Sequence, residues 1–84
     1  MAYTVEIKKS AEKEMDRLPD AVHQRVSEKI LALENDPRPP GSRKLEGGEG
    51  YRLRVGDYRV LYTVNDQERR LLIYSVAHRR EAYR

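Results

Sequence analysis

The sequence contains no cysteine, phenylalanine or tryptophan, and only two histidines. The absence of cysteine excludes disulfide bonds and cysteine-ligated zinc. His23 and His78 stand 55 residues apart in the sequence, which argues against a histidine-rich metal site. Six tyrosines make up the whole aromatic content of the chain. We therefore expect a protein that works without a metal or another cofactor.

Long hydrophobic runs are missing as well. No stretch approaches the roughly 20 apolar residues that a membrane-spanning helix needs, and the opening MAYTVEIKK lacks the apolar segment of a signal peptide. With 84 residues, the chain has room for one domain, residues 1–84, and not for a barrel enzyme or a Rossmann fold with a substrate domain. These features predict a soluble, cytoplasmic single-domain protein.

Positive charge is concentrated in the second half of the chain. Residues 1–42 hold seven lysines and arginines against eight acids, a net charge of −1, whereas residues 43–84 hold ten against six, a net charge of +4. Nine of those ten are arginines, whose planar fork binds phosphate bidentately and stacks on bases. Arginines interleaved with tyrosines favour an RNA partner, although a merely solvated surface can have the same composition.

Hydrophobic periodicity predicts one strand, two helices and three further strands. The first strand is predicted over 3–9, and a helix follows from an N-cap at Ser10 to about Leu18. A second helix begins at Pro19 or Asp20 and carries an apolar stripe of Val22, Val26, Ile30 and Leu33. A loop over 35–42 leads to strands over 51–55, 58–64 and 70–77 and to a basic tail over 78–84. The expected fold is α+β in the order β-α-α-β-β-β. Its helical hairpin packs on one face of a small, mainly antiparallel four-stranded sheet and leaves the other face partly exposed.

An arginine cluster is predicted on that exposed face. Period-two alternation places Arg52 and Arg54 on the same side of one strand. The Gly56-Asp57 pair is typical of a two-residue hairpin turn, which sets Arg54 directly opposite Arg59. Like charges in such a pair destabilise a sheet, so their presence indicates a bound anion or a charged partner.

Cleavage of RNA without a metal needs three kinds of group. One group deprotonates or orients a ribose 2′-hydroxyl, cations stabilise the charge on phosphorus, and an acid protonates the leaving 5′-oxygen. Arginines meet the second need, but a pKa above about 12 makes them poor bases. His78, with an ordinary pKa near 6.5, is a candidate for the first or third role. An exposed polar residue at a strand end is the other interpretation of His78.

Taken together, these segments resemble the RelE/ParE superfamily of small toxins from bacterial and archaeal type II toxin–antitoxin systems. The resemblance extends over nearly the whole chain, and its strongest part is the segment YRLRVGDYRVLY at 51–62. The other matching segments are residues 3–7, 10–14, 18–19, 36–39, 44–45 and 76–84.

In the RelE branch, the resemblance implies a toxin that inhibits translation during stress. It would be a ribosome-dependent mRNA endonuclease that cuts in the A site by attack of a 2′-hydroxyl on the adjacent phosphate. The implied roles are the second-strand basic pair for Arg52 and Arg54, the transition-state arginine for Arg59, leaving-group protonation for Arg79, and orientation of the nucleotide for Tyr83. Further basic residues expected to contact RNA or the ribosome are Arg43, Lys44, Arg80 and Arg84.

The chain departs from this branch at two positions. Well-known members carry lysine where this chain has Arg52 and Arg54, and an arginine cannot easily act as a base. The pair is therefore expected to bind phosphate, with His78 as the candidate proton carrier. Two alternatives stay open: a ParE-like inhibitor of DNA gyrase with a similar fold, and an RNA-binding module without catalysis.

The resemblance also implies partners. An acidic, RelB-like antitoxin is expected to bind through a helix and an extended segment, with a toxin–antitoxin heterotetramer as one form of the complex. Its acidity would suit the +4 net charge of residues 43–84. The ribosome and mRNA are the other expected partners, and no membrane is.

Overall fold

The computed structural model describes residues 2–48 and 50–78. In chain order the elements are β1 (Thr4–Ile7), α1 (Lys9–Asp16), α2 (Asp20–Ala32), β2 (Ser42–Lys44), β3 (Gly50–Val55), β4 (Tyr58–Asn65) and β5 (Arg70–His78). The strands form one sheet in the order β1-β5-β4-β3-β2. β1 runs parallel to β5, and the other neighbours are antiparallel. The α+β fold expected from the sequence is confirmed, with a fifth strand in addition.

Two local predictions are corrected by the structure. The fifth strand, β2, lies in a segment that shows no hydrophobic alternation, and it forms because Arg43 pairs with Arg52 along the edge of β3. Ser10 is not the N-cap: α1 begins at Lys9, after an extended Lys8, which is two residues earlier than an N-cap at Ser10 would place its start. The Lys8 amide still donates to the Ile73 carbonyl of the sheet, and the Lys8 carbonyl already accepts from the amide of Glu12.

The core lies between the two helices and one face of the sheet. Its largest fully buried side chains are Tyr62, Leu33, Leu71, Ile73, Val26, Val60 and Val76. The apolar stripe predicted for α2 is confirmed, since Val26, Ile30 and Leu33 are buried and Val22 packs against the same cluster. Neither of the two helices described here has the length and apolar character needed to cross a membrane.

The turn between β3 and β4 sets the register of the site. Val55 pairs with Tyr58, and Arg54 pairs with Arg59, as the sequence predicts. Gly56 has a φ of 60°, a left-handed conformation that glycine adopts without steric cost. A glycine at the first central position is the signature of a type II′ turn, whose twist matches that of the flanking strands.

A polar cluster of Tyr3, Arg38, Tyr51 and Asp66 lies at one end of the sheet. Asp66 accepts hydrogen bonds from the Tyr3 hydroxyl at 2.7 Å and from both terminal nitrogens of Arg38, at 2.8 and 3.2 Å. The Nε atom of Arg38 also donates to the Tyr51 hydroxyl at 2.9 Å. These bonds join the start of β1, the loop that follows α2, β3 and the turn between β4 and β5.

Acid should weaken this cluster in a defined pH range. The hydrogen bond from Arg38, and then that from Tyr3, lowers the pKa of Asp66 from 3.8 to about 2. A lowered acid pKa stabilises the fold above the unfolded-state value, and that contribution is lost as the pH falls from about 4 to about 2. In urea unfolding between pH 2 and 7, Asp66→Asn should be less stable than wild type at neutral pH. The difference should shrink below pH 4.

The matched control for this titration is Glu68→Gln, which neutralises an exposed acid in the same turn. The control should follow the wild-type pH profile. A constant difference in stability between wild type and Asp66→Asn from pH 7 down to pH 2 would contradict the assignment.

Candidate phosphate-binding site

The face of the sheet opposite the helices carries the basic residues. Leu53 and Val60, which pair across β3 and β4, belong to the core. Side chains alternate along a strand, so Arg52, Arg54 and Arg59 lie on the other face. The arginine cluster predicted from the sequence is therefore present on one face.

Four arginines surround a pocket on this face, which we call the arginine pocket. It has a volume of about 300 Å³ and is lined by Arg43, Arg52, Arg54, Arg59 and Gly41. Two cross-strand pairs build it, since Arg43 lies opposite Arg52 and Arg54 lies opposite Arg59. Directly opposed residues have Cβ atoms about 4.5–5.5 Å apart, so the structure holds two like-charged pairs side by side.

Arg59 is the most unusual member of the pocket. It is only 4% exposed and is the one buried charged side chain among the described residues. Its Nη1 atom donates to the carbonyl of Tyr58 at 3.2 Å. Arg59 takes no part in the Arg38–Asp66 or the Arg70–Glu6 ion pair. Burial of a cation costs free energy unless an opposite charge offsets it. The surroundings of Arg59 therefore favour a bound anion.

Ala77 makes this burial possible. It pairs with Arg59 across β4 and β5 and is 8% exposed. A methyl group at this position leaves space for the arginine side chain on the sheet surface. The alternation of the strands predicts a partly exposed face here, and Arg59 departs from that prediction because it is buried.

The chemistry available in the arginine pocket is one-sided. Guanidinium groups donate several hydrogen bonds each and remain charged at every physiological pH. They can hold a phosphate and stabilise charge that develops on its oxygens, but they cannot take up a proton. Within residues 2–48 and 50–78, no group of three or more histidine or acidic side chains is placed to hold a metal ion.

Lys44 lies beside the arginine pocket and does not line it. It contributes to a neighbouring pocket of about 520 Å³ together with Arg43, Leu45, Glu46 and Arg52. Because Arg43 and Arg52 line both pockets, basic side chains continue from the arginine pocket to the β2 edge of the sheet.

His78 is placed away from the arginines. It pairs with Tyr58, and the two rings meet edge to face with centroids 5.3 Å apart. His78 lines a different pocket of about 250 Å³, shared with Glu14 of α1 and with Arg17, the residue that follows this helix. The sequence-based expectation that His78 joins the arginines as a proton carrier is therefore not supported by its position.

A bulge in β5 explains the position of His78. Strict alternation from Leu71 and Ile73 would turn His78 toward the arginine face. The pairing between β4 and β5 instead shifts by one residue next to Leu61 and Tyr62, and a one-residue shift reverses the side on which every later side chain lies. No local pattern in the sequence announces this shift.

Four of the predicted site residues lie outside the described part of the chain: Arg79, Arg80, Tyr83 and Arg84. Gly41, by contrast, lines the arginine pocket and was not singled out from the sequence. The available signal was its place in a Pro-Pro-Gly-Ser turn directly before β2.

Comparison with known proteins agrees with this fold. The family described as "ParE toxin of type II toxin-antitoxin system, parDE" matches residues 5–83. The protein named RelE1 of Methanocaldococcus jannaschii is 33% identical over 88 residues, covering 100% of this chain and 98% of the relative. Toxin RelE of Mycobacterium tuberculosis is 33% identical over 84 residues, covering 98% of this chain and 87% of the relative.

A solved structure gives the same result in three dimensions. The archaeal RelE–RelB complex from Pyrococcus horikoshii contains a chain that matches with a TM-score of 0.84 and 38% identity, over 94% of this chain and 97% of that one. The fold and the sequence thus define a toxin of the type II toxin–antitoxin class. The chain belongs to the RelE/ParE toxin superfamily and is RelE-like.

Proposed function

We propose that this toxin inhibits translation by cutting mRNA in the ribosomal A site. The 2′-hydroxyl of one nucleotide would release its proton to solvent and attack the adjacent phosphate, and the 5′-oxygen of the next nucleotide would leave and take up a proton. The observation that supports this proposal best is the buried cation Arg59 at the wall of a four-arginine pocket. In-line attack concentrates negative charge on phosphorus, which is the charge such a pocket is built to stabilise.

In this proposal, the basic residues and Tyr83 have distinct roles. Arg52 and Arg54 would bind the phosphate, and Arg59 would stabilise the extra charge of the transition state. Arg43 would extend the phosphate contacts along β2, and Lys44, Arg80 and Arg84 would contact RNA or the ribosome. Arg79 and Tyr83 keep the roles implied by the resemblance: protonation of the leaving group and orientation of the nucleotide. His78 has no role in the proposed cleavage, because its ring packs on Tyr58, on the face of the sheet opposite the arginines.

The dependence on the ribosome follows from the shape of the site. The pocket holds about 300 Å³ on one face of a small sheet, which is too little to enclose several nucleotides. At such an open site, most of the rate enhancement has to come from a partner that holds the substrate in the geometry needed for attack. The ribosome would supply that geometry, and its location would place the toxin in the cytoplasm.

An antitoxin is the second partner of the proposal. The RelE of Pyrococcus horikoshii was solved together with RelB. In this chain, an acidic antitoxin would neutralise the positively charged half of the protein and keep the pocket away from mRNA. A toxin–antitoxin heterotetramer is the largest assembly we propose.

The test is a cleavage assay on ribosomes that carry a defined codon in the A site. Wild type should cut the mRNA within that codon, and Arg52→Gln should cut it about tenfold or more slowly, since a hydrogen bond to a charged group contributes about 1.5–3 kcal/mol. Arg25→Gln is the control, because it removes an exposed arginine of α2 and should cut like wild type. Primer extension maps the ends.

A gyrase inhibitor is the competing function, favoured by the family description as a ParE toxin. A gyrase assay on supercoiled DNA separates the two. Intact mRNA together with cleaved gyrase–DNA complexes would replace our proposal. If the mRNA stays intact, gyrase activity is unchanged and the protein still binds RNA, the protein is an RNA-binding module without catalysis.

A further inference from the structure

The bulge in β5 brings one more side chain to the face of the arginine pocket. Leu61 pairs with Ser75 and Tyr62 pairs with Ile73, which leaves Tyr74 as the extra residue. In such a bulge, two residues of one strand oppose a single residue of the other. Bulges of this kind occur next to active sites, where they re-aim a side chain.

The contact at Gly50 shows where Tyr74 goes. A Cβ atom on Gly50 would lie only 2.9 Å from the Tyr74 hydroxyl and 3.1 Å from Cδ1 of Leu45. Gly50 is in β3 and shares the face of Arg52 and Arg54 by alternation. Adjacent strands are about 4.8 Å apart, so a tyrosine of β5 reaches β3 only by lying along the sheet surface, across β4.

This placement puts the ring beside Gly50, on the same face as the arginine pocket and outside the residues that line it. Gly50 and Arg52 are two residues apart on one face of β3, a distance of about 6.7 Å along the strand. Leu45, which lies against the same Gly50, and Leu61, which is on the same face of β4, are both half-buried. A nucleotide whose phosphate lies among the arginines would therefore have an aromatic and aliphatic surface within reach of its base.

The fold itself makes little use of Tyr74. Its side chain is half-buried and is not part of the core cluster. Its hydroxyl makes no hydrogen bond with residues 2–48 or 50–78, and it is not a buried unpaired group, of which the described residues have none. Glycine at position 50, which a strand tolerates at some cost, is what gives the tyrosine its space.

We propose that Tyr74 is a stacking platform for the nucleobase next to the phosphate held in the arginine pocket. The ligand class is single-stranded RNA, because only unpaired bases expose a face to an aromatic ring. This inference rests on the proposed function and adds a base-binding residue to it.

The experiment measures binding of short single-stranded oligonucleotides at low salt, by NMR titration. The oligonucleotides carry 2′-O-methyl riboses so that cleavage cannot occur, and a second set has an abasic site at each position in turn. Tyr74→Ala should bind the complete oligonucleotide about 5- to 150-fold more weakly than wild type, the range that loss of one stacked base produces. Wild type should lose affinity by a similar factor at one abasic position, and Tyr74→Ala should lose nothing further there.

Two further variants separate stacking from packing. Tyr74→Phe keeps the ring and should bind like wild type, whereas Tyr74→Leu keeps apolar bulk and should bind like the alanine variant. Equal binding of the complete oligonucleotide by wild type and by folded Tyr74→Leu would overturn the inference. So would an equal loss by Tyr74→Ala at every abasic position.

Failure of this inference is distinct from failure of the proposed function. If wild type cuts A-site mRNA and Tyr74→Ala binds oligonucleotides as wild type does, only the role of Tyr74 is wrong. If wild type leaves A-site mRNA intact, the proposed cleavage is wrong, whatever Tyr74 binds.

Discussion

Arg59→Gln is expected to slow mRNA cleavage about 100- to 1,000-fold, which is the usual effect of removing one preorganised donor from a transition-state site. The effect should lie in kcat, because Arg59 would act on charge that appears during the attack. Its burial strengthens that action, since electrostatic interactions grow as water is excluded. Single-turnover cleavage on programmed ribosomes with saturating toxin measures the change.

The stability of the same variant should move in the other direction. Glutamine removes the like-charged pair that Arg59 forms with Arg54 across β3 and β4. The free energy of unfolding should therefore equal or exceed the wild-type value. Arg59→Lys keeps the charge without the planar fork and should lose less activity than Arg59→Gln. Wild-type cleavage by a folded Arg59→Gln protein would remove Arg59 from the mechanism.

Tyr62→Ala is expected to destabilise the fold by about 3–5 kcal/mol, the cost of truncating a large buried ring. Tyr62 is 0% exposed, its ring stacks on Tyr51 with centroids 5.8 Å apart, and its hydroxyl donates to the Pro37 carbonyl at 2.8 Å. The free energy of unfolding of a small domain is about 5–15 kcal/mol in total. The substitution would therefore remove much of the stability. Urea unfolding followed by circular dichroism measures it.

Tyr62→Phe is the matched control. It keeps the ring in the core and removes only the hydrogen bond to Pro37, which should cost about 0.5–1.5 kcal/mol. If alanine and phenylalanine destabilise the protein equally, the ring contributes no packing energy and the assignment of Tyr62 to the core is wrong in energetic terms.

Local patterns explain which features could be predicted from the sequence. The hairpin at Gly56 and the opposition of Arg54 and Arg59 follow from a two-residue turn and alternation, both of which act over a few neighbouring residues. The helical stripe of α2 is local in the same way. The short strand β2 was missed because its three residues carry no pattern and pair only through the partner strand.

In the candidate site, too, local patterns predict some residues, whereas others depend on contacts between strands. Arg52, Arg54 and Arg59 share one face in the prediction and in the structure, because all of them lie on regular strands on either side of the turn. The face on which His78 lies could not be predicted, since the bulge lies between the regular part of β5 and its end. The burial of Arg59 was equally out of reach, because it depends on Ala77 of another strand.

By itself, then, the sequence determined the absence of cysteine chemistry, the order of the first strand, the two helices and the three long strands, and a second half whose charge is almost wholly arginine. Tertiary structure decided which of those arginines is buried, that β2 adds Arg43 to the pocket, and that His78 lies on the face opposite the arginines. The physical reason is the range of the interactions. Turns and alternation are set between near neighbours, whereas a one-residue shift between β4 and β5 depends on contacts that only the folded chain brings together.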